Sequence, residues 1–387
     1  MKSLRKFLDD KKPLFQKGGK YEKLGSTFGA FETFLFTPNH TSRSGVHVHD
    51  PIDLKRTMIV VVLATIPALL FGAWNIGYQH GLAFGIERTI MENFLFGFVK
   101  ILPIIVVSYV VGLAIEFIFA QARGHEVNEG YLVTGILIPL ILPINIPLWM
   151  VALSVAFAVV FGKEIFGGTG YNIMNVALVS RAFLFFAYPA EMSGDLVWIY
   201  DLPNKAPVDG FSGATPLAEL ALGAEGKVAS FYDMFMGFIP GSIGETSTLA
   251  ILIGAAILIY TGVGSWKIMF STVLGALAFG FLMNLLALNE YMKIDPYYHL
   301  VLGGFAFGTV FMATDPVTAS HTEKGKWIYG FMIGALTVLI RVFNPAYPEG
   351  MMLAILLMNV WAPLIDYFVV EGHIKRRLKR VNMKGNA

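Results

Sequence analysis

Cysteine is absent from all 387 residues. That excludes a disulfide framework, a thiolate nucleophile and a cysteine-ligated iron–sulfur cluster in this chain. Charge is scarce as well. Asp, Glu, Lys and Arg make up 14%, against 55% hydrophobic residues and a mean hydropathy of +0.62, a balance too apolar for an ordinary water-soluble domain. The first 50 residues are polar and charged without an apolar central run, so no cleavable signal peptide is expected and the first apolar span must direct insertion. The eight histidines show no metal-ligand spacing, and neither a nucleophile–His–acid set nor a Walker-type glycine loop occurs. A net charge of +2 offers nucleic acid no hold, because the basic residues are accounted for by membrane topology.

What the chain has in abundance is apolar runs able to cross a bilayer, each bounded by a charge or a Gly/Pro cluster. Ten are expected, over residues 58–75, 98–120, 130–143, 147–162, 172–189, 246–262, 267–288, 298–313, 327–342 and 351–370. The expected fold class is an all-α polytopic membrane protein of about ten transmembrane helices. Pro139, Pro143 and Pro147 interrupt the short third and fourth runs, which points to a broken or re-entrant pair buried against other protein. An even number of spans puts both termini on one side. Twenty-two Lys and Arg fall on that side and six on the other, with Arg181 alone well inside a span; the positive-inside bias makes both termini cytoplasmic.

The expected organisation is a cytoplasmic amino-terminal arm (1–56), a first transmembrane half (57–189), an outer, periplasmic loop (190–245), a second transmembrane half (246–370) and a basic cytoplasmic tail (371–387). The arm is too poor in apolar residues for a core of its own. Its apolar patch from Phe31 to Phe36 favours docking, on the membrane surface or on a soluble partner, over a free tail. Five spans on either side of the loop is an odd number, so any duplication between the halves must be inverted, although no sequence repeat is visible. Breaks at Gly167–Asn172 and Asn344–Gly350 lie where such folds place ligands.

Within the outer loop stands Asp209-Gly210-Phe211-Ser212-Gly213-Ala214-Thr215, a polar, glycine-punctuated segment in an apolar chain. A threonine hydroxyl can carry a flavin through a phosphoester where the backbone is open enough for a transferase to grip, and Gly210 and Gly213 are expected to supply that openness. Ser-Gly-Ala-Thr alone is a weak signal, since small polar residues crowd many turns. The Asp209-Gly210 pair and the membrane context strengthen it, with Thr215 as the bonded residue.

Several stretches carry a resemblance: His125-Glu126-Val127-Asn128-Glu129-Gly130, Lys163-Glu164 through Gly170 to Asn172 and Asn175, Arg181 to Pro189, Pro240 to Glu245, Ala313-Thr314-Asp315-Pro316, Arg341 to Met352, and Ile374-Lys375-Arg376-Arg377. Over nearly its whole length the chain resembles the B subunits of the sodium-translocating NADH:quinone oxidoreductases of bacterial respiratory membranes. The D subunit of the Rnf ferredoxin:NAD oxidoreductase is more distantly similar, sharing the flavin motif but not the long basic arm and the Ile-Lys-Arg-Arg tail. The resemblance implies FMN esterified to Thr215 by a flavin transferase, a non-covalent riboflavin near Asn172 and Asn175, quinone as substrate, and sodium export from the cytoplasmic (inner) membrane. It also implies partner subunits of the A, C, D, E and F types, with NADH oxidised elsewhere in the complex. Electrons would pass from the covalent FMN through riboflavin to quinone near the cytoplasmic face.

Asn172 and Asn175 lie three apart at an expected helix start and so share a face, and their amides suit the carbonyl and N–H edges of a flavin; membrane helices also use such residues as glue. Ionisable groups inside spans are costly and are candidates by default: Glu116 and Asp366, near the cytoplasmic ends of their helices where water reaches them, and Arg181. Gly112 and Glu116 match a quinone-related segment, with Leu113 standing where family members have a second glycine. Glu245 and Asp315 sit at helix edges, where carboxylates commonly cap, yet oxygen ligands suit sodium. Glu116, Glu245, Asp315 and Asp366 are the ion-path candidates. A non-redox carrier for a small solute is the rival reading; it accounts for broken helices and leaves Thr215 unexplained.

Overall fold

The computed structural model describes residues 2–16, 18–36, 44–45, 54–124, 130–208, 211–221, 229–344 and 349–385. Asp209, Gly210, His125–Glu129 and Pro345–Pro348 lie outside the described residues. Two helices of the arm, α1 (Lys2–Lys11) and α2 (Gly25–Leu35), precede α3 (Leu54–Phe84), α4 (Ile90–Arg123), α5 (Tyr131–Leu140), α6 (Leu148–Gly162) and α7 (Val176–Ala187). The long connection holds three short helices, α8 (Pro189–Met192), α9 (Pro216–Ala221) and α10 (Phe231–Met236). Beyond it come α11 (Thr248–Tyr260), α12 (Trp266–Leu286), α13 (Tyr298–Val301), α14 (Phe305–Phe307), α15 (Glu323–Phe343) and α16 (Met351–Gly385). Among the described residues there is no strand.

Six of these are long and apolar enough to cross a membrane: α3, α4, α6 with the turn that follows it, α12, α15 and α16. The apolar α5, α7 and α11 are shorter. At 1.5 Å per residue, the ten residues of α5 reach only about 15 Å, half a hydrocarbon core. The protein is therefore a helical, multi-pass membrane protein.

The structure differs from the expected boundaries where polar residues find partners that a hydropathy window cannot see. Helix α3 continues past residue 75 because Asn75 Nδ2 donates to the Ile239 carbonyl at 2.9 Å and the ring nitrogen of His80 lies 3.2 Å from the Arg88 guanidinium. Helix α4 begins at Ile90 rather than 98, started by a capping box in which Thr89 Oγ1 accepts from Glu92 N–H and Glu92 returns a bond to Thr89 N–H. The fourth run is not broken: α6 is continuous, and the proline-rich break lies in the turn before it. The eighth run, 298–313, is broken instead, parting at Leu302–Gly304, where Gly303 has φ +55°, and continuing as a π turn over Gly308–Met312. Such turns often mark functional sites. The basic tail is not a separate segment, since α16 runs through it to Gly385.

Small residues let the helices approach closely, as membrane packing favours. A Cβ on Gly97 of α4 would fall 1.8 Å from the Ala73 carbonyl oxygen of α3, and one on Gly334 of α15 would fall 2.0 Å from that of Thr272 on α12. The arm docks on its own chain. Phe31 of α2 meets Phe117 of α4 with ring centroids 6.1 Å apart, and Gln121 Nε2 donates to Thr27 Oγ1 at 2.6 Å.

Candidate functional site

Two cavities lie at successive levels along α7. Asn175, its amino-terminal cap, lines one, and Arg181 and Phe185 line the other. Six residues separate Asn175 from Arg181, about 9 Å along a helix axis.

Thr215 lines the second cavity with Phe185, Trp198, Arg181, Glu245 and Glu349. Its hydroxyl accepts from Ala218 N–H at 3.2 Å at the start of α9, and Ser212 Oγ accepts from Ala214 N–H at 3.2 Å. Ser212 is exposed, while Gly213 and Ala214 are buried. Gly213 therefore does not provide the open backbone expected of it. A Cβ there would fall 2.1 Å from the Asp195 carbonyl oxygen and 2.8 Å from Leu202 Cδ2, so the glycine serves close approach, seating the segment against the loop that carries Trp198. The buried hydroxyl of Thr246, also in this cavity wall, has no hydrogen-bond partner among the described residues.

Arg181 lies on an apolar face of α7 and is 4% exposed, which demands compensation. Its Nη1 donates to the Ile141 carbonyl at 2.6 Å and to Glu245 Oε1 at 3.0 Å, and its Nη2 donates to Glu349 Oε2 at 2.7 Å. Sequence reasoning flagged Arg181 and Glu245 separately. It could not join them to Glu349, which is 168 residues from Arg181.

The first cavity is lined by Asn172, Asn175, Thr134, Thr169, Lys163 and Asp315, with apolar walls from Val133, Leu137 and Phe311. Asn172 and Asn175 do not share a helical face, because α7 starts one residue later; both reach the cavity from the loop before it. Asn175 Oδ1 caps α7 by accepting from Leu178 N–H at 3.2 Å, and its Nδ2 donates to Asp315 Oδ2 at 3.3 Å. Asn172 Nδ2 donates to the Met174 carbonyl at 3.1 Å. Asp315 also accepts from Val317 N–H at 3.1 Å and the Thr318 hydroxyl at 3.0 Å.

Glu116 is buried, not reached by water at a helix end, and it pairs with Lys163 of the cavity wall. One turn along α4, the space beside Gly112 is filled by Tyr131, whose ring carbon Cζ would lie 1.9 Å from a Cβ on that glycine. The Tyr131 hydroxyl donates to the Ser108 carbonyl at 2.9 Å. Asp366 lies apart from both cavities, accepting from Ser320 Oγ at 2.6 Å, His321 N–H at 2.7 Å, and the Thr322 N–H and hydroxyl at 3.0 and 2.5 Å. It holds the start of α15.

Residues 41–375 match the sequence profile of the NQR2, RnfD, RnfE family. Similar proteins include the B subunit of the Na(+)-translocating NADH-quinone reductase of Stutzerimonas stutzeri, 50% identical over 97% of this chain and 99% of the relative. Those of Chromohalobacter salexigens and Pseudomonas aeruginosa, with the same name, are 49% and 48% identical over 97% of this chain and 96% and 99% of theirs.

Proposed function

The chain belongs to the NQR2, RnfD, RnfE family, and from that premise we propose that it is the membrane redox subunit of a sodium-translocating NADH:quinone reductase, with FMN carried on Thr215. The relatives are named as subunits of that oxidoreductase, so the activity belongs to a complex with other subunits. Ten crossings in two inverted halves, with both termini cytoplasmic and the Thr215 cavity at the outer face, is the topology we adopt. The lysine and arginine distribution supports it. The third helical segment of each five is a short one, α5 at ten residues and the third of the second half parted into α13 and α14, as a duplication would give.

The observation that carries the flavin reading is the shared wall of Thr215, Phe185, Trp198 and the Thr246 hydroxyl, unpartnered among the described residues. Two aromatic side chains suit a planar ring, and a buried hydroxyl lacking a partner suits a polar edge. When bound, FMN would supply electron transfer; Thr215 would hold its phosphate and the aromatic walls would exclude water. The first cavity, with amides, hydroxyls and a carboxylate on an apolar frame, suits the riboflavin that the family resemblance implies near Asn172 and Asn175. Glu116, beside Lys163, together with Gly112 on the same helix, is our region for quinone. Glu116, Glu245, Asp315 and Asp366 are the proposed carboxylates of the ion path, and a flavin transferase the enzyme that loads Thr215.

In-gel fluorescence and intact mass of the denatured chain, co-produced with a flavin transferase, test this. A fluorescent band and an FMN-sized increment, both lost in Thr215→Val, are expected. A chain that stays bare beside an active transferase overturns the reading.

A further inference from the structure

Helix α16 does not stop at the membrane. Its Asp366 receives the polar turn before α15, and the next two residues, Tyr367 and Phe368, are 62% and 61% exposed, as aromatic side chains are at a membrane–water interface. Beyond them the helix continues unbroken to Gly385. Leu378 stands ten residues past Phe368, about 15 Å along the axis, whereas the headgroup layer on one side of a bilayer is about 5–8 Å thick. Every side chain from His373 to Arg380 is exposed, so these turns stand clear of the rest of the chain as well as of the lipid. Their printed contacts are local: Lys375 Nζ reaches Glu371 Oε1 at 2.7 Å, and Arg376 Nε donates to the Gly372 carbonyl at 3.2 Å.

Positive charge beyond a span follows from membrane insertion. Exposed apolar side chains do not. Ile374 and Leu378 are 51% and 57% exposed and, being four apart, share one face of the helix. At 3.6 residues per turn, Arg377 falls on one side of that pair and Lys375 on the other. An apolar stripe edged by charge is the pattern by which a helix is held in a groove.

We propose that α16 beyond Phe368 is a docking surface for another subunit of the reductase, one that presents an apolar groove rimmed by carboxylates. Ile374 and Leu378 fill the groove, and Lys375 and Arg377 meet its rim. The proposal rests on the chain's place in a multi-subunit complex and is independent of the flavin reading of Thr215. A protein surface fits better than a lipid one because the helix runs on past the headgroup layer, with Lys375, Arg376, Arg377, Lys379 and Arg380 spread around it. A helix bound to the membrane surface lies in its plane and gathers its cations on one face. In such a groove the buried apolar anchors govern how long the partner stays, and the rim charges govern encounter and salt dependence.

The test is photocrosslinking in the purified complex, with benzoylphenylalanine introduced in place of Leu378. The expected product joins this chain to one other subunit, at a segment of that subunit rich in Asp and Glu. Leu378→Ser combined with Arg377→Gln is expected to speed dissociation of the same subunit roughly tenfold. The thermal midpoint of the chain should not change, because both side chains are exposed. Leu378→Ile with Arg377→Lys, which keeps an apolar anchor and a charge, is expected to hold the subunit as the wild type does. Adducts with lipid alone would assign the extension to the membrane surface, and adducts within this chain alone to an internal contact; either overturns the inference and leaves the subunit reading standing. A Ser/Gln double variant that releases the subunit no faster than the wild type also overturns it. If the wild-type chain purifies without any other subunit, the inference and the subunit reading fall together.

Discussion

The carbonyl oxygen of Asp195 occupies the position that a side chain on Gly213 would need, 2.1 Å from where its Cβ would stand. The backbone that presents Thr215 is therefore seated by contact with its own loop. On the proposed flavin reading, Gly213→Ala is expected to displace the 211–215 segment and lower flavin attachment while leaving the Thr215 hydroxyl chemically intact. In-gel fluorescence per mole of chain checks this, and full loading of the alanine variant would show that the close approach is dispensable.

Glu116 and Lys163 are each about 5% exposed and paired across α4 and the end of α6. Removing one partner of a buried pair leaves the other charge uncompensated, at a cost of about 3–5 kcal/mol. Glu116→Gln should lower the thermal midpoint of the purified chain, and Glu116→Gln with Lys163→Met should recover much of the loss. A double variant no more stable than the single one would argue that the pair is not the source of the effect.

Asp366 accepts two backbone N–H groups and two hydroxyls at the turn before α15. Truncation to alanine leaves those donors bare, and loss of a comparable cap costs about 0.5–2 kcal/mol. Hydrogen exchange at His321 and Thr322 is expected to speed up in Asp366→Ala, with α12 and the arm unchanged. Sodium-coupled activity lost without faster exchange would favour an ion-path role over this structural one.

Gly112 faces the fully buried ring of Tyr131. Gly112→Ala forces that ring to move, and overpacking of this kind costs about 1–3 kcal/mol. Combining it with Tyr131→Phe should not restore stability, because the clash involves the ring carbon as well as the hydroxyl. Combining it with Tyr131→Leu should restore part of it. Thermal unfolding of the three variants separates these outcomes.

The helices were legible because apolar length is a local property. Each run that the hydropathy pattern marked is helical at least in part, and the breaks around Pro139–Pro147 were visible as proline. The break at Leu302–Gly304 was not, since Gly303 and Gly304 sit inside an apolar run that a single helix could also have used. The extensions of α3 and α4 were missed for a related reason: Asn75, His80 and Glu92 read as ends to a window that counts polarity, yet each has a partner that removes the penalty. Thr215, Arg181 and Glu116 could be singled out one at a time, as a hydroxyl in an unusual motif or as charges in apolar surroundings.

Composition and the order of apolar runs were enough to make this a helical, multi-pass membrane protein and to single out Thr215, because burial of backbone in lipid leaves helices as the economical solution and because a motif is read along the chain. Which residues meet was decided only in three dimensions. Arg181 joins Glu245 and Glu349 over 64 and 168 residues, Glu116 finds Lys163 over 47, and Asp315 finds Asn175 over 140. A buried charge states in the sequence that it needs a partner, but helix packing chooses that partner, since the desolvation cost can be met by any acceptor or donor that the fold brings within hydrogen-bond reach.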